Sequence, residues 1–222
     1  MPGPTELAPA AGPDDAWATA LLVPVKAFEQ AKGRLAGVLG AEARVDLARR
    51  MAAVVLAAAG DLVVHVVCDD AAVAAWAEQA GATVLWCPGR GLDHAVADGV
   101  EALRRAGFER AVVAHADLPA ARSFEALAGF EGVIIVPDRR EDGTNVISIP
   151  TGAGFGFRYG PGSFVRHQAE AARLGLALRV VREHRLGFDV DTPADLDELL
   201  SGSVAGPWPP RVEPPPPAPA AR

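Results

Sequence analysis

The chain has 222 residues, half of them hydrophobic and 22% charged, a balance that suits one folded α/β domain and excludes a wholly disordered chain. Its formal net charge is -7, from 28 acidic and 21 basic residues, so its summed field repels polyphosphate backbones and nucleic acid is not an expected partner. Cys68 and Cys87 have no His or Cys at metal spacing, which leaves neither a disulfide framework nor a zinc site, and both are read as buried, reduced core residues.

Residues 1–18 are rich in Pro and Ala, and residues 203–222 are rich in Pro; both read as flexible tails around a single domain at 19–202. The first residues carry no Lys or Arg ahead of an apolar stretch, so no secretory leader is read and a cytoplasmic location is expected. Short aliphatic runs then predict strands at Leu21–Val25, Leu62–Val67, Thr83–Trp86, Ala111–Ala114, Val133–Val136, Val146–Ile149 and Leu178–Val181. Leu47, Met51, Val54 and Val55 make one helical stripe, and Leu92, Ala95, Val96, Gly99, Val100 and Leu103 make another. The apolar stretch Met51–Val67 is broken by Gly60, Asp61 and His65 well short of ~20 clean residues, so it reads as a helix end, a turn and a strand and no membrane is expected. Gly160 and Ser163 look like the turn and cap of a helix from Phe164 to Leu174. Thr192-Pro193-Ala194-Asp195 is a capping box that opens a helix to about Leu200. This alternation of strand and helix predicts a mostly parallel sheet of the doubly wound kind.

Ligands of such sheets bind beyond the carboxyl ends of the strands, and three loops there carry polar chemistry. The first strand empties into VKAFEQAKGRL, where Lys26, Lys32 and Arg34 could surround a triphosphate and Gly33 would let backbone approach it; a solvated basic loop is the alternative. Asp117 follows the fourth strand in HADLP, as a ligand or as a turn former. Asp189 and Asp191 stand two apart in GFDVDTP, so in extended chain they share a side while Phe188 and Val190 point the other way. Carboxylates this close repel unless a cation relieves them, and three of them without a His or Cys cluster favour Mg²⁺. Thr144 in EDGTN, with Gly160 and Ser163 in RYGPGSF, offers small donors and bare amides suited to an anion. His65 and His94 read as locally satisfied histidines, and His115 and His167 carry no assignment.

Taken in order, VKAFEQAKGRL, GLDHA, HADLP, EDGTN, RYGPGSF and FDVDTPADL resemble the 2-phospho-L-lactate guanylyltransferases of coenzyme F420 biosynthesis, over about residues 20–200. The resemblance implies a single-domain GT-A-like nucleotidyltransferase fold, with a central mostly parallel mixed sheet flanked by helices. It implies that Asp117, Asp189 and Asp191 bind Mg²⁺, and that Lys26, Lys32, Gly33 and Arg34 meet the phosphates of GTP. Thr144, Gly160 and Ser163 would hold a small phosphorylated carboxylic acid: 2-phospholactate, phosphoenolpyruvate or 3-phosphoglycerate. Asp93 in GLDHA stands near the expected base site, where the family more often has Asn. The resemblance also implies a homodimer and a product passed to the F420-forming transferase. Two rival readings remain at this point: a molybdopterin- or sugar-type nucleotidyltransferase, whose GGxSxRxG loop is not seen here, and a non-catalytic sensor of phosphate ligands.

Overall fold

The computed structural model describes residues 17–204, and nearly all of both predicted tails lies outside the described residues. Seven strands form one sheet in the order β3-β2-β1-β4-β6-β5-β7. They are β1 Thr19–Pro24, β2 Val63–Cys68, β3 Thr83–Trp86, β4 Arg110–Ala114, β5 Val133–Pro137, β6 Thr144–Pro150 and β7 Leu178–Val180. Strands β1 to β4 run parallel to one another, β6 runs antiparallel to both β4 and β5, and β7 is parallel to β5. The sheet is therefore mostly parallel, as the alternation of strand and helix predicted, and mixed, as the resemblance implied, with one aliphatic run for each strand.

Helices cover both faces, which is why the central strands are continuous apolar runs. Helices α1 (Ala41–Ala57) and α2 (Ala71–Gln79) pack with Leu21, Val23, Val66 and Val112. On the other face, α3 (Gly91–Arg105) and α4 (Ser163–Arg173) cover Ala20, Leu22, Val113 and Ile147. Alternation along β1 sends neighbouring residues to opposite faces, and each fully buried Leu or Val adds about 1.5–3 kcal/mol of hydrophobic stabilisation. Helix α3 crosses β1 at Gly99, where a Cβ would lie 2.8 Å from Leu22 Cδ2, so any larger residue there requires the Leu22 side chain to shift. A smaller cluster of Leu35, Met51, Phe188, Val190 and Leu199 seats α5 (Pro193–Ser201) against α1.

The capping box of α5 is complete: Thr192 Oγ1 accepts from Asp195 N, and Asp195 accepts from Thr192 N. Four sequence readings need correction. Helix α2 was not foreseen, because AAVAAWAEQ carries too few large apolar residues to mark a stripe; Asp70 caps it, accepting from Val73 N at 2.9 Å. Ser163 is not a cap: the cap position belongs to Gly162, at φ 73°, and Ser163 is the first helical residue. Cys68 is buried, and burial pushes its thiol up to about 11, but Cys87 is only half-buried, with Sγ 3.3 Å from Asp98 Oδ2. His65 is buried against Phe108 with no hydrogen-bond partner on either ring nitrogen, whereas His94 Nδ1 does meet Arg90 O at 3.0 Å. Among the described residues, no helix is long and apolar enough to cross a membrane.

Candidate active site

Beyond Pro24 the chain crosses the carboxyl ends of the strands in two short 3-10 turns, Phe28–Gln30 and Gly33–Leu35. Between them Lys32 adopts φ 56°, a left-handed conformation that costs a non-glycine residue on the order of 1 kcal/mol or more. That backbone turn drives the Lys32 side chain inward. Its Nζ donates to Asp117 Oδ2 at 2.6 Å and to Asp191 Oδ1 at 3.0 Å, while Arg34 reaches Asp191 Oδ2 at 3.2 Å. The Lys32 side chain is only 8% exposed, while its partners Asp117 and Asp191 are partly exposed at 24% and 39%, and Arg34 stays in solvent. Burial works to lower the Lys32 ammonium, but the charges and hydrogen bonds of Asp117 and Asp191 outweigh it and leave the pKa raised. Asp117 is the mirror case: burial would raise it, and Lys32 brings it below the usual carboxylate value.

Asp189 and Asp191 alternate with Phe188 and Val190, both fully buried, so the period-2 reading of this segment holds. Burial, then the like charges of Asp117 and Asp191, push Asp189 up to about 6. The segment is held by a residue that the sequence reading used only as a helix cap. Asp195 Oδ2 accepts from Asp191 N at 3.0 Å and from Thr192 N at 2.7 Å, and its Oδ1 accepts from Arg140 Nη2 at 2.9 Å and from Arg139. Asp195 is wholly buried; burial would raise it, yet these hydrogen bonds hold it far below the usual carboxylate range. No signal in the sequence separates this double duty from an ordinary capping box.

These residues flank a cleft of about 670 Å³ with Lys26, Lys32, Asp117, His115 and Gly160 on its lining. Lys26 is exposed in it, and a Cβ at Gly33 would meet nothing within 4 Å, so the protein's own packing does not demand glycine there. The His115 ring lies against Tyr159; burial lowers its pKa, and its Nε2 has no partner. Gly160, at φ 91°, brings bare backbone to the cleft wall, and its carbonyl accepts from Ser163 N at 3.0 Å. Thr144 and Ser163 are each 1% exposed and lie behind that backbone.

Thr144 Oγ1 meets His167 Nδ1 at 3.0 Å, and Arg158 N donates to His167 Nε2 at 3.0 Å. The second contact requires a lone pair on Nε2, so the ring is neutral with its proton on Nδ1, in keeping with burial that pushes His167 down to about 4. Asp142 is a further residue the sequence reading passed over. Its Oδ1 accepts from Gly162 N at 2.9 Å and its carbonyl from Phe164 N at 3.1 Å, which locks the glycine loop to the turn before β6. Asp93, expected near the base, accepts at Oδ1 from Tyr159 N at 2.8 Å, and Gly91, Leu92 and Ala95 of the same helix line the cleft.

Among the described residues, no three His, Cys, Asp or Glu side chains form a ready metal cage, since Lys32 Nζ stands between Asp117 and Asp191. The donor set nevertheless fits a hard divalent ion. Asp117 Oδ1 and Asp189 Oδ1 are buried without any partner, and Asp189 is held high by burial first and then by the nearby charges of Asp117 and Asp191.

A doubly wound sheet with one antiparallel insertion, carrying a cation and carboxylate centre at the ends of β1 and β4, is the GT-A-like architecture of nucleotidyltransferases. Solved structures share this fold. A protein from Desulfovibrio desulfuricans G20 described as a nucleotide-diphospho-sugar transferase superposes with a TM-score of 0.65 at 20% identity, covering 82% of this chain and 85% of that one. A 4-diphosphocytidyl-2C-methyl-D-erythritol synthase does so with a TM-score of 0.56 at 13% identity, covering 82% and 95%. The family described as "Guanylyl transferase CofC like" matches residues 19–204, and the chain belongs to that family. Among its relatives, the phosphoenolpyruvate guanylyltransferase of Sphaerobacter thermophilus is 36% identical, over 85% of this chain and 95% of that protein. The enzyme of the same name from Conexibacter woesei is 38% identical over 82% and 86%, and the 2-phospho-L-lactate guanylyltransferase of Halorubrum lacusprofundi is 34% identical over 78% and 80%. The activity expected from the sequence, guanylyl transfer in coenzyme F420 biosynthesis, therefore stands.

Proposed function

We propose that this enzyme transfers GMP from GTP to the phosphate of phosphoenolpyruvate and releases pyrophosphate. The observation that carries the reading is the buried Lys32 between Asp117 and Asp191, at the strand ends where a triphosphate meets its acceptor. The choice of phosphoenolpyruvate over 2-phospho-L-lactate or 3-phosphoglycerate draws on the names of the relatives at 36% and 38% identity.

In this reading the GTP phosphates lie along Lys26, Lys32, the Gly33 backbone and Arg34, and the acceptor sits beside Gly160. Thr144 and Ser163 shape the acceptor wall from behind, consistent with their burial. An oxygen of the acceptor's phosphate attacks the α-phosphorus of GTP in line; the new P–O bond forms as the bond to the β-phosphate oxygen breaks, and pyrophosphate leaves with that electron pair. A phosphate dianion carries its own attacking pair, so no protein base is required, and positioning and charge supply the acceleration. Lys26, Lys32 and Arg34 offset the charge that develops on the outgoing pyrophosphate. Asp117, Asp189 and Asp191 would hold Mg²⁺, which supplies charge neutralisation at the phosphates when bound. The product is a mixed diphosphate that a following F420-forming transferase consumes in the cytoplasm, and a homodimer belongs to the same reading.

The test is pyrophosphate release by the full chain with GTP, Mg²⁺ and each of the three acids in turn, coupled to the F420-forming transferase. Release with phosphoenolpyruvate, abolished in Asp117→Ala and Asp191→Ala proteins, is the expected result. Release with 2-phospho-L-lactate alone would move the acceptor assignment, and no release with any acid would end it.

A further inference from the structure

The loop Arg158–Gly160, which brings backbone to the cleft wall, pairs with no strand among the described residues. Side chains from two helices hold it instead. His167 of α4 accepts from Arg158 N at 3.0 Å, and Arg166 of α4 donates to the carbonyls of Arg158, Tyr159 and Gly160 at 3.2, 3.1 and 3.3 Å. The remaining tie comes from the other wall: Asp93 of α3 accepts from Tyr159 N at 2.8 Å. Helix α3 also presents Gly91, Leu92 and Ala95 to the cleft, on the wall built from the β2 and β3 ends. One carboxylate therefore connects the helix on the nucleotide side to the loop on the acceptor side.

We propose that Asp93 is a positioning residue that couples the two substrate walls, and that it does not read the guanine base. The inference rests on GTP and a phosphorylated acid being the two substrates. A base reader must face the cleft with free acceptor atoms. Asp93 commits Oδ1 to the Tyr159 amide of the acceptor loop, whereas Gly91, Leu92 and Ala95 of the same helix line the cleft. Tyr159 gives the tie its leverage: its ring lies 5.1 Å from His115, 5.0 Å from His167 and 6.0 Å from Phe157 between centroids, so a shift of its backbone moves the whole aromatic floor beside Gly160. Because an Asn side-chain oxygen can accept the same amide proton, Asn at this position preserves the tie, while Ala removes it.

The experiment compares wild type, Asp93→Ala and Asp93→Asn by steady-state kinetics with phosphoenolpyruvate, GTP and xanthosine triphosphate. Asp93→Ala should raise KM for phosphoenolpyruvate about tenfold or more and leave KM for GTP within about twofold, as loss of a hydrogen bond to a charged group allows. Asp93→Asn should restore the acceptor KM and should not switch the donor. A guanine-reading carboxylate behaves in the opposite way: its Asn variant loses GTP and gains xanthosine triphosphate, whose carbonyl at C2 replaces the amino group of guanine, and that outcome overturns the proposal. A readout free of turnover accompanies this one. In wild type, GTP binding should slow hydrogen exchange in residues 157–160, and in Asp93→Ala it should not. Equal protection in the two proteins overturns the coupling. If no acid supports turnover while the exchange difference persists, the acceptor assignment falls and the coupling stands.

Discussion

The two halves of the sheet hold their side of the cleft by different means. On the side proposed for the nucleotide, β1, β2 and β3 end in register as neighbouring parallel strands, and the ladder itself, continued by Val25 N to Val67 O and Cys87 N to Cys68 O, sets where the loops begin. On the side proposed for the acceptor, the antiparallel β6 interrupts that order, and the wall is a strandless loop tied by His167, Asp93, Arg166 and Asp142. Backbone ladders survive most side-chain changes, whereas a side-chain tie is lost with one substitution. Mutations should therefore separate the halves, with single polar changes acting on acceptor binding first.

The largest effect belongs to the point where the halves meet. Lys32→Met leaves Asp117 without its counter-charge and Asp191 with only the solvent-exposed Arg34, and since both carboxylates are partly exposed the cost lies toward the lower end of the roughly 3–5 kcal/mol for breaking a fully buried pair. The expected result is a large fall in Tm in the presence of a chelator, with Mg²⁺ recovering more of it than it adds to wild type. If Mg²⁺ leaves the variant unmoved, the carboxylates are not a cation site. Next comes Asp195→Ala, which removes the capping box, the acceptors for Asp191 N and Thr192 N, and the partner of Arg139 and Arg140. We expect about 2–4 kcal/mol by urea unfolding, well above the ~1 kcal/mol of an ordinary cap loss. A Thr192→Ala protein gives that baseline, and equal losses in the two variants would reduce Asp195 to a cap.

Much of the nucleotide half was legible in the sequence, and much of the acceptor half was not. Strands such as Val63–Cys68 and Thr83–Trp86 announce themselves as short β-branched runs between breakers, and Asp189 and Asp191 follow from period-2 alternation around two buried apolar residues. The sequence sets Lys32 on a phosphate loop and Asp117 and Asp191 in one carboxylate set, but the ion pairs that join the lysine to the two acids span 85 and 159 residues, a pairing that no local pattern encodes. The ties of the acceptor loop have the same character: Asp93 and Tyr159 are 66 residues apart, and His167 and Thr144 are 23 apart. Ser is a common capping residue, so the sequence favours Ser163 as the cap, while the positive φ that gives the position to Gly162 depends on a loop closing onto Asp142.

His167 gives the kinetic version of the contrast. Gln in its place can still accept from Arg158 N, and Asn can still donate toward Thr144, so each variant keeps one of the two hydrogen bonds. His167→Ala should raise KM for the acid by about 10- to 100-fold, the loss of one or two hydrogen bonds, with KM for GTP little changed. The two conservative variants should fall between Ala and wild type. If KM for GTP rises as steeply as KM for the acid, the histidine supports the whole fold and not the acceptor wall.

The smallest expected effect pairs this histidine with one in the nucleotide half. Burial holds both His65 and His167 at about 4, below the ~6.5 of an unfolded chain, but only His167 has hydrogen-bond partners for its ring. A pKa lowered on folding means that the unfolded state binds the extra proton first. Stability from each neutral ring is therefore complete above about pH 6.5 and is lost as pH falls toward about 4. His65 sits against Phe108 with no polar partner on either nitrogen, so an apolar side chain can replace it without orphaning a neighbour. His65→Leu should remove its share of the acid limb, a relative gain of about 1–2 kcal/mol at pH 5 over pH 8 in urea unfolding. The same comparison for His167→Ala carries the loss of two hydrogen bonds at both pH values, so its curve should be flatter and lower. Two curves of equal height would mean that the acceptor half, like the nucleotide half, is held by its ladder alone.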